Sequence, residues 1–170
     1  MNQQVDALQF DLLGTLEELV RLYRALLETV RREKEILVSS QLDDLNENNR
    51  GKEAILVKIQ VVDEQREQQA KALALVLRTS ENSSRLLDIA RYSKGDVGDR
   101  LRNFHSVLEI LLKRVQELNK DNELLVQSAL QHITGAMKAI RTDLQDKPTY
   151  QRKGEVSAPP ATGHLVSREA

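Results

Sequence analysis

Apolar residues recur along the start of the chain as Val5, Leu8, Leu12, Leu16, Leu19, Tyr23, Leu26 and Val30, with Glu, Arg and Gln between them. Steps of three and four put these side chains on one face of a helix. No proline occurs before Pro148 and glycine is sparse, so only local capping chemistry ends a helix in the first three quarters of the chain. The first such place is Ser39-Ser40. Ser40 with Asp43 three residues on reads as an N-cap with an acidic N3 partner, so a second helix is expected to begin near Gln41. Its stripe runs through Leu42, Leu45, Ile55, Leu56, Ile59, Val62, Ala70, Leu73 and Leu77, interrupted by the polar interval Asn46, Asn48 and Asn49.

Thr79 to Ser84 is rich in side chains that compete for backbone hydrogen bonds, so a break is predicted there, followed by a short helix through Leu86, Leu87, Ile89 and Ala90. Gly95 and Gly98 mark a second break, with Asp96 or Asp99 available as a cap. Beyond it lies the most regular pattern in the chain: Leu101, Phe104, Leu108, Leu111, Val115, Leu118, Asn122, Leu125 and Ala129 alternate three and four apart, a heptad seam. From Ala129 the stripe goes on through Ile133, Met137, Ile140 and Leu144 in steps of four, four, three and four. That shift turns the apolar face around the helix. A helix from Asp99 to Leu144 would be about 70 Å long at about 1.5 Å per residue. Past Gln145, Pro148, Gly154, Pro159, Pro160 and Gly163 mark a polar segment that reads as a disordered tail. The fold class is therefore all-α: an elongated antiparallel bundle or hairpin of three to four long amphipathic helices over residues 1–145, with a flexible tail over 146–170.

Composition narrows the function. With two Phe, three Tyr and no Trp, the core is aliphatic and leucine carries it. Charged residues make up 30% of the chain but nearly cancel at a net charge of −1, so no basic field gathers nucleic acid. The chain has no cysteine, hence no disulfide or thiolate metal site, which fits a reducing compartment. Neither a basic-then-apolar leader nor a run of about 20 apolar residues is found, so the expected location is the cytoplasm, without membrane insertion.

Catalytic chemistry finds no foothold. His105, His132 and His164 are the three histidines, and none is spaced from a carboxylate or a second histidine in a way that resembles a known metal pattern. Glu17 with Arg21, and Glu117 with Lys120 and Asp121, read as helical ion pairs on solvated faces. Gly95 and Gly98 form a helix-to-helix turn rather than a phosphate loop, since no strand precedes them. We expect no enzyme activity, no cofactor and no metal. Asn122 stands out as an amide in an apolar seam, a residue that fixes register or sits where the partner changes.

The ordered combination of an N-terminal Leu-rich helix, the turn before Leu42-Asp43-Asp44-Leu45, Lys52 and Glu53 leading into Ile55 to Arg66, the late Leu118-Asn119-Lys120-Asp121-Asn122 and the final Tyr150-Gln151-Arg152-Lys153-Gly154 resembles the FlgN family of flagellar export chaperones. The resemblance covers roughly residues 8 to 155. It implies a cytoplasmic type III secretion chaperone that binds the C-terminal helical regions of the hook-filament junction proteins, FlgK and FlgL, and brings them to the export gate protein FlhA. Carried over by position, Asn122, Leu125, Ala129, Ile133, Met137, Ile140 and Leu144 would line the client-binding surface, and Tyr150 with Gly154 would dock on the gate. A helix-in-groove mode needs anchors at this spacing, and Met137 suits an adaptable surface. The alternative is a structural coiled-coil scaffold without an export role, in which the same stripe is core. A heptad seam serves a hairpin and a homodimer equally well.

Overall fold

The computed structural model describes residues 2–79, 83–93 and 95–145, and every regular element among them is a helix. There are four: α1 (Asn2–Ser39), α2 (Leu42–Leu77), α3 (Leu86–Tyr92) and α4 (Asp96–Gln145). The chain divides into two compact units, residues 1–126 and residues 127–170.

The first unit is a three-helix bundle closed at one end by α3. Helix α1 is its centre because it carries two apolar rows rather than one. Leu12, Leu16, Leu19, Leu26 and Val30 form the predicted stripe, and Leu13, Val20 and Leu27, seven apart, form a second beside it; all are buried. One row is enough to pack against one neighbour, whereas two allow a helix to face α2 and α4 together. Asn48 on α2 donates to the Thr29 carbonyl of α1 at 3.2 Å, and Lys52 meets Glu33 at 2.7 Å. Farther from the turn, Ala70 and Leu73 share a core cluster with Leu12 and Leu16, so residue numbers fall on α1 as they rise along α2 and the two helices are antiparallel. Helix α4 runs the same way as α1: Leu101 shares a core cluster with Leu12 and Leu16, Leu111 and Val115 share one with Leu22 and Leu26, and Asn122 bonds to Val30. The bundle is up-down-up.

The polar interval in α2 does not break it. Leu45, Asn48, Lys52, Ile55, Ile59, Val62, Arg66, Gln69 and Leu73 keep a three-four alternation, and none of the nine is exposed. Four seam positions of α2 are simply polar, which an apolar stripe alone conceals.

Helix ends differ from expectation at one point. Ser40 is not an N-cap; it lies in the left-handed region at φ 58°, and the Gln41 N–H donates to the Ile36 carbonyl at 3.2 Å. That six-to-one bond makes Ser40 the terminating residue of α1, in a Schellman motif. Gln41 occupies the N-cap position of α2 without a side-chain cap. Arg78 ends α2 in the same way, at φ 52° with Thr79 N–H on the Ala74 carbonyl.

The predicted short helix is α3, whose Ile89 and Ala90 are buried against Leu12, Leu16, Leu73 and Leu101. Gly95, at φ 62°, makes the turn into α4. Gly98 allows α3 and α4 to touch: a Cβ there would lie 2.8 Å from the Ala90 carbonyl oxygen and 3.1 Å from that of Ser93.

In the second unit, residues 127–145 are helical, and every residue from Gln127 to Asp143 is exposed. Gly135 lies in its middle. The expected tail, residues 146–170, lies outside the described residues.

Candidate partner-binding surface

Two features stand out among the candidate residues: a polar knot of Glu33, Lys52, Asn119 and Asn122, and an exposed apolar stripe late in α4. Lys52 of α2 donates through Nζ to Glu33 Oε2 of α1 at 2.7 Å and to Asn119 Oδ1 of α4 at 3.0 Å. Asn122 Nδ2 donates to the Val30 carbonyl at 3.0 Å and to the same Glu33 Oε2 at 3.2 Å. Four side chains from three helices are thereby linked, with Lys52 and Asn122 sharing one oxygen of the Glu33 carboxylate. The Lys52 and Glu33 side chains are only 21% and 15% exposed, so the pair feels a lower dielectric than a surface bridge does. A half-buried pair of this kind contributes little net stability against its own desolvation, but a slip of one helical turn would strand a charge. Its effect is to hold the register of α2 and α4 on α1. Lys34 and Asp121, 2.9 Å apart and more exposed, continue the contact between α1 and α4.

Asn122 is therefore occupied by α1, with its side chain buried. Leu125 is half-buried, beside Leu124, Lys34 and Asp121 around a small concavity of about 240 Å³. Along the seam of α4, Leu101, Leu111 and Val115 are buried and Leu118 is half-buried, and the same spacing runs on into residues that are not. Leu130, Ile133, Met137 and Ile140 are 58%, 57%, 65% and 61% exposed, and Ala129 is exposed with them. At about 100° per residue, Val126, Ala129, Leu130, Ile133, Ala136, Met137 and Ile140 fall within an arc of roughly 120°. Leu130 and Ala136 belong to this face, although the strict three-four count passes over both. The Leu144 side chain, Tyr150 and Gly154 lie outside the described residues.

A second concave feature lies on the first unit, a groove of about 470 Å³ in which Tyr23 sits beside Asp63 and Arg66, with His105 and Glu109 opposite. Arg66 Nε donates to Asp63 at 2.6 Å. Burial, and then the Asp63 carboxylate, raise the pKa of the Tyr23 hydroxyl above its ordinary 10.0, and Arg66 opposes the shift. His105 stands 3.9 Å from Glu109, and among the described residues no group of three or more His, Asp or Glu side chains is placed to hold a metal ion. Among the same residues, no helix is long and apolar enough to cross a membrane.

A family model of the FlgN protein matches residues 1–158. The chain belongs to the FlgN family. Comparison with curated proteins and with solved structures finds no match. FlgN proteins are flagellar export chaperones, so the role assigned to this chain is that of a chaperone in flagellum biogenesis, consistent with a non-enzymatic protein. In FlgN terms, the motif residues Lys52, Asn119 and Asn122 are engaged in holding three helices together in this member, not in facing solvent.

Proposed function

We propose that this FlgN protein is a cytoplasmic type III secretion chaperone that binds the C-terminal helical regions of FlgK and FlgL through the exposed face of α4 and delivers them to FlhA. The observation that carries the reading is the unburied apolar stripe Ala129, Leu130, Ile133, Met137 and Ile140 on a helix whose earlier seam is packed. An aliphatic face of that size in water is costly, at about 25 cal/mol per Å², and marks an interaction site. Its anchors follow the i, i+3, i+4 and i+7 spacing by which one helix receives another. Leu125 and Leu144 extend the row at either end. Asn122 is assigned to the bundle, and Tyr150 with Gly154 to gate docking.

The test is complex formation with the C-terminal region of a hook-filament junction protein, measured by calorimetry with wild type and with Ile133→Asp/Ile140→Asp. Both side chains are exposed, so the double variant is expected to keep its thermal midpoint and to lose the complex. Undiminished binding overturns the reading. Loss of folding in the same variant would mean that the stripe is core, as a coiled-coil scaffold requires. For the gate, Tyr150→Ala should leave folding and client binding intact and reduce docking on FlhA; wild-type motility in that variant refutes the assignment.

A further inference from the structure

The exposed stripe of α4 is bordered unequally. At about 100° per residue, Arg141 and Lys138 follow Met137 and Leu130 along one border, with only Thr134 and Gln127 between them, whereas His132 and Asp143 lie along the other, beside Ala129 and Ala136. Several other cations on these helices are answered within one turn: Arg21 by Glu18, Arg31 by Glu28, Arg66 by Asp63 and Arg102 by Asp99. Lys138 and Arg141 have no carboxylate three or four residues away on either side. They stand three apart from each other, a like-charge spacing that weakens a helix. Among the described residues neither takes part in an ion pair. Two uncompensated cations along one border of an open apolar face are complementary to carboxylates arriving with the partner.

We infer that the partner of this face is a single amphipathic helix with a row of carboxylates along one border of its apolar stripe, lying so that this border meets Lys138 and Arg141. The inference rests on the docking role proposed above and adds the charge pattern of the ligand. Apolar contact supplies most of the affinity, and the cations select the helix and its sense, because the reversed helix would set its carboxylates beside Asp143.

The experiment measures binding of a labelled peptide spanning the C-terminal helix of a hook-filament junction protein, by anisotropy, at low and at high salt. Lys138→Glu/Arg141→Glu is expected to weaken binding about tenfold at low salt, and the difference should shrink at 1 M salt, where screening acts within about 3 Å. A peptide with its border carboxylates changed to lysine should bind the reversed variant better than wild type does. Asp143→Asn, on the opposite border, should change affinity less than twofold. Equal binding by wild type and the reversed variant at low salt overturns the inference. If Ile133→Asp abolishes binding in that same series, apolar docking stands and only the charge pattern fails; if it does not, the docking role itself fails. All variants alter exposed side chains, and unchanged circular dichroism verifies their folding.

Discussion

Lys52→Met is the most informative single change in the bundle. It keeps the volume of the side chain and removes the ammonium that bridges Glu33 Oε2, at 2.7 Å, and Asn119 Oδ1, at 3.0 Å. Glu33, 15% exposed, is then left with the Asn122 amide as its donor. Hydrogen bonds to charged groups contribute about 1.5–3 kcal/mol, and leaving a half-buried carboxylate short of a cation costs a similar amount. Residual solvent access reduces both, so the expected loss is about 2 kcal/mol. Glu33→Leu should cost about the same, because it strands Lys52 instead. The double variant replaces both charges with apolar groups in a seam otherwise built of Leu, Ile and Val, and should be less destabilised than either single variant. Urea unfolding followed by far-ultraviolet circular dichroism measures all four proteins, and the coupling energy should be about 2 kcal/mol or more. Additivity within about 0.5 kcal/mol would refute the reasoning, since it would mean that the two groups do not act as a unit.

Gly98→Ala should destabilise the first unit by about 1–3 kcal/mol, because its Cβ has to displace two backbone carbonyls, and a lowered thermal midpoint measures this. Ser40→Gly and Arg78→Gly should each stabilise by about 1 kcal/mol by relieving a left-handed backbone, readable as raised urea midpoints with unchanged slope. Tyr23 should ionise above 10.0 in ultraviolet difference titration. Its unfolded form loses the proton first, so the stability it carries is complete below the ordinary value and is lost as pH rises through the raised one; Tyr23→Phe should flatten that alkaline decline.

The long helices were legible because their apolar stripes are: the seam of α4 from Leu101 to Leu125 is buried or half-buried at every position. The second row of α1 was less so, since Leu13, Val20 and Leu27 matter only once a helix has two neighbours. In α2 the seam holds Asn48, Lys52, Arg66 and Gln69, and the partners of the first two, the Thr29 carbonyl and Glu33, are distant in sequence. A stripe counted in apolar letters therefore stops where the packing does not. Ser40 misled because a serine before two aspartates is a capping pattern, and the choice between capping the next helix and ending the last is made by backbone geometry. At the candidate surface, spacing alone joined Asn122 to Ile133 and Ile140. The difference between them is which helix reaches each, and that is a property of three dimensions.

The face of α4 from Gln127 to Asp143 has one more consequence. No side chain there is sheltered, so the segment is held by its own backbone bonds, with Gly135 and Thr134 at its centre. A helix of this length without packing is close to balance between coil and helix, and glycine costs about 1 kcal/mol relative to alanine. Its amides should exchange far faster than those of Leu111 to Asn122, and under the proposed docking role a cargo that clamps it must also supply the ordering. Grip and release are then one equilibrium: a hold whose strength is discounted by the cost of folding the hand is one that a carrier can give up.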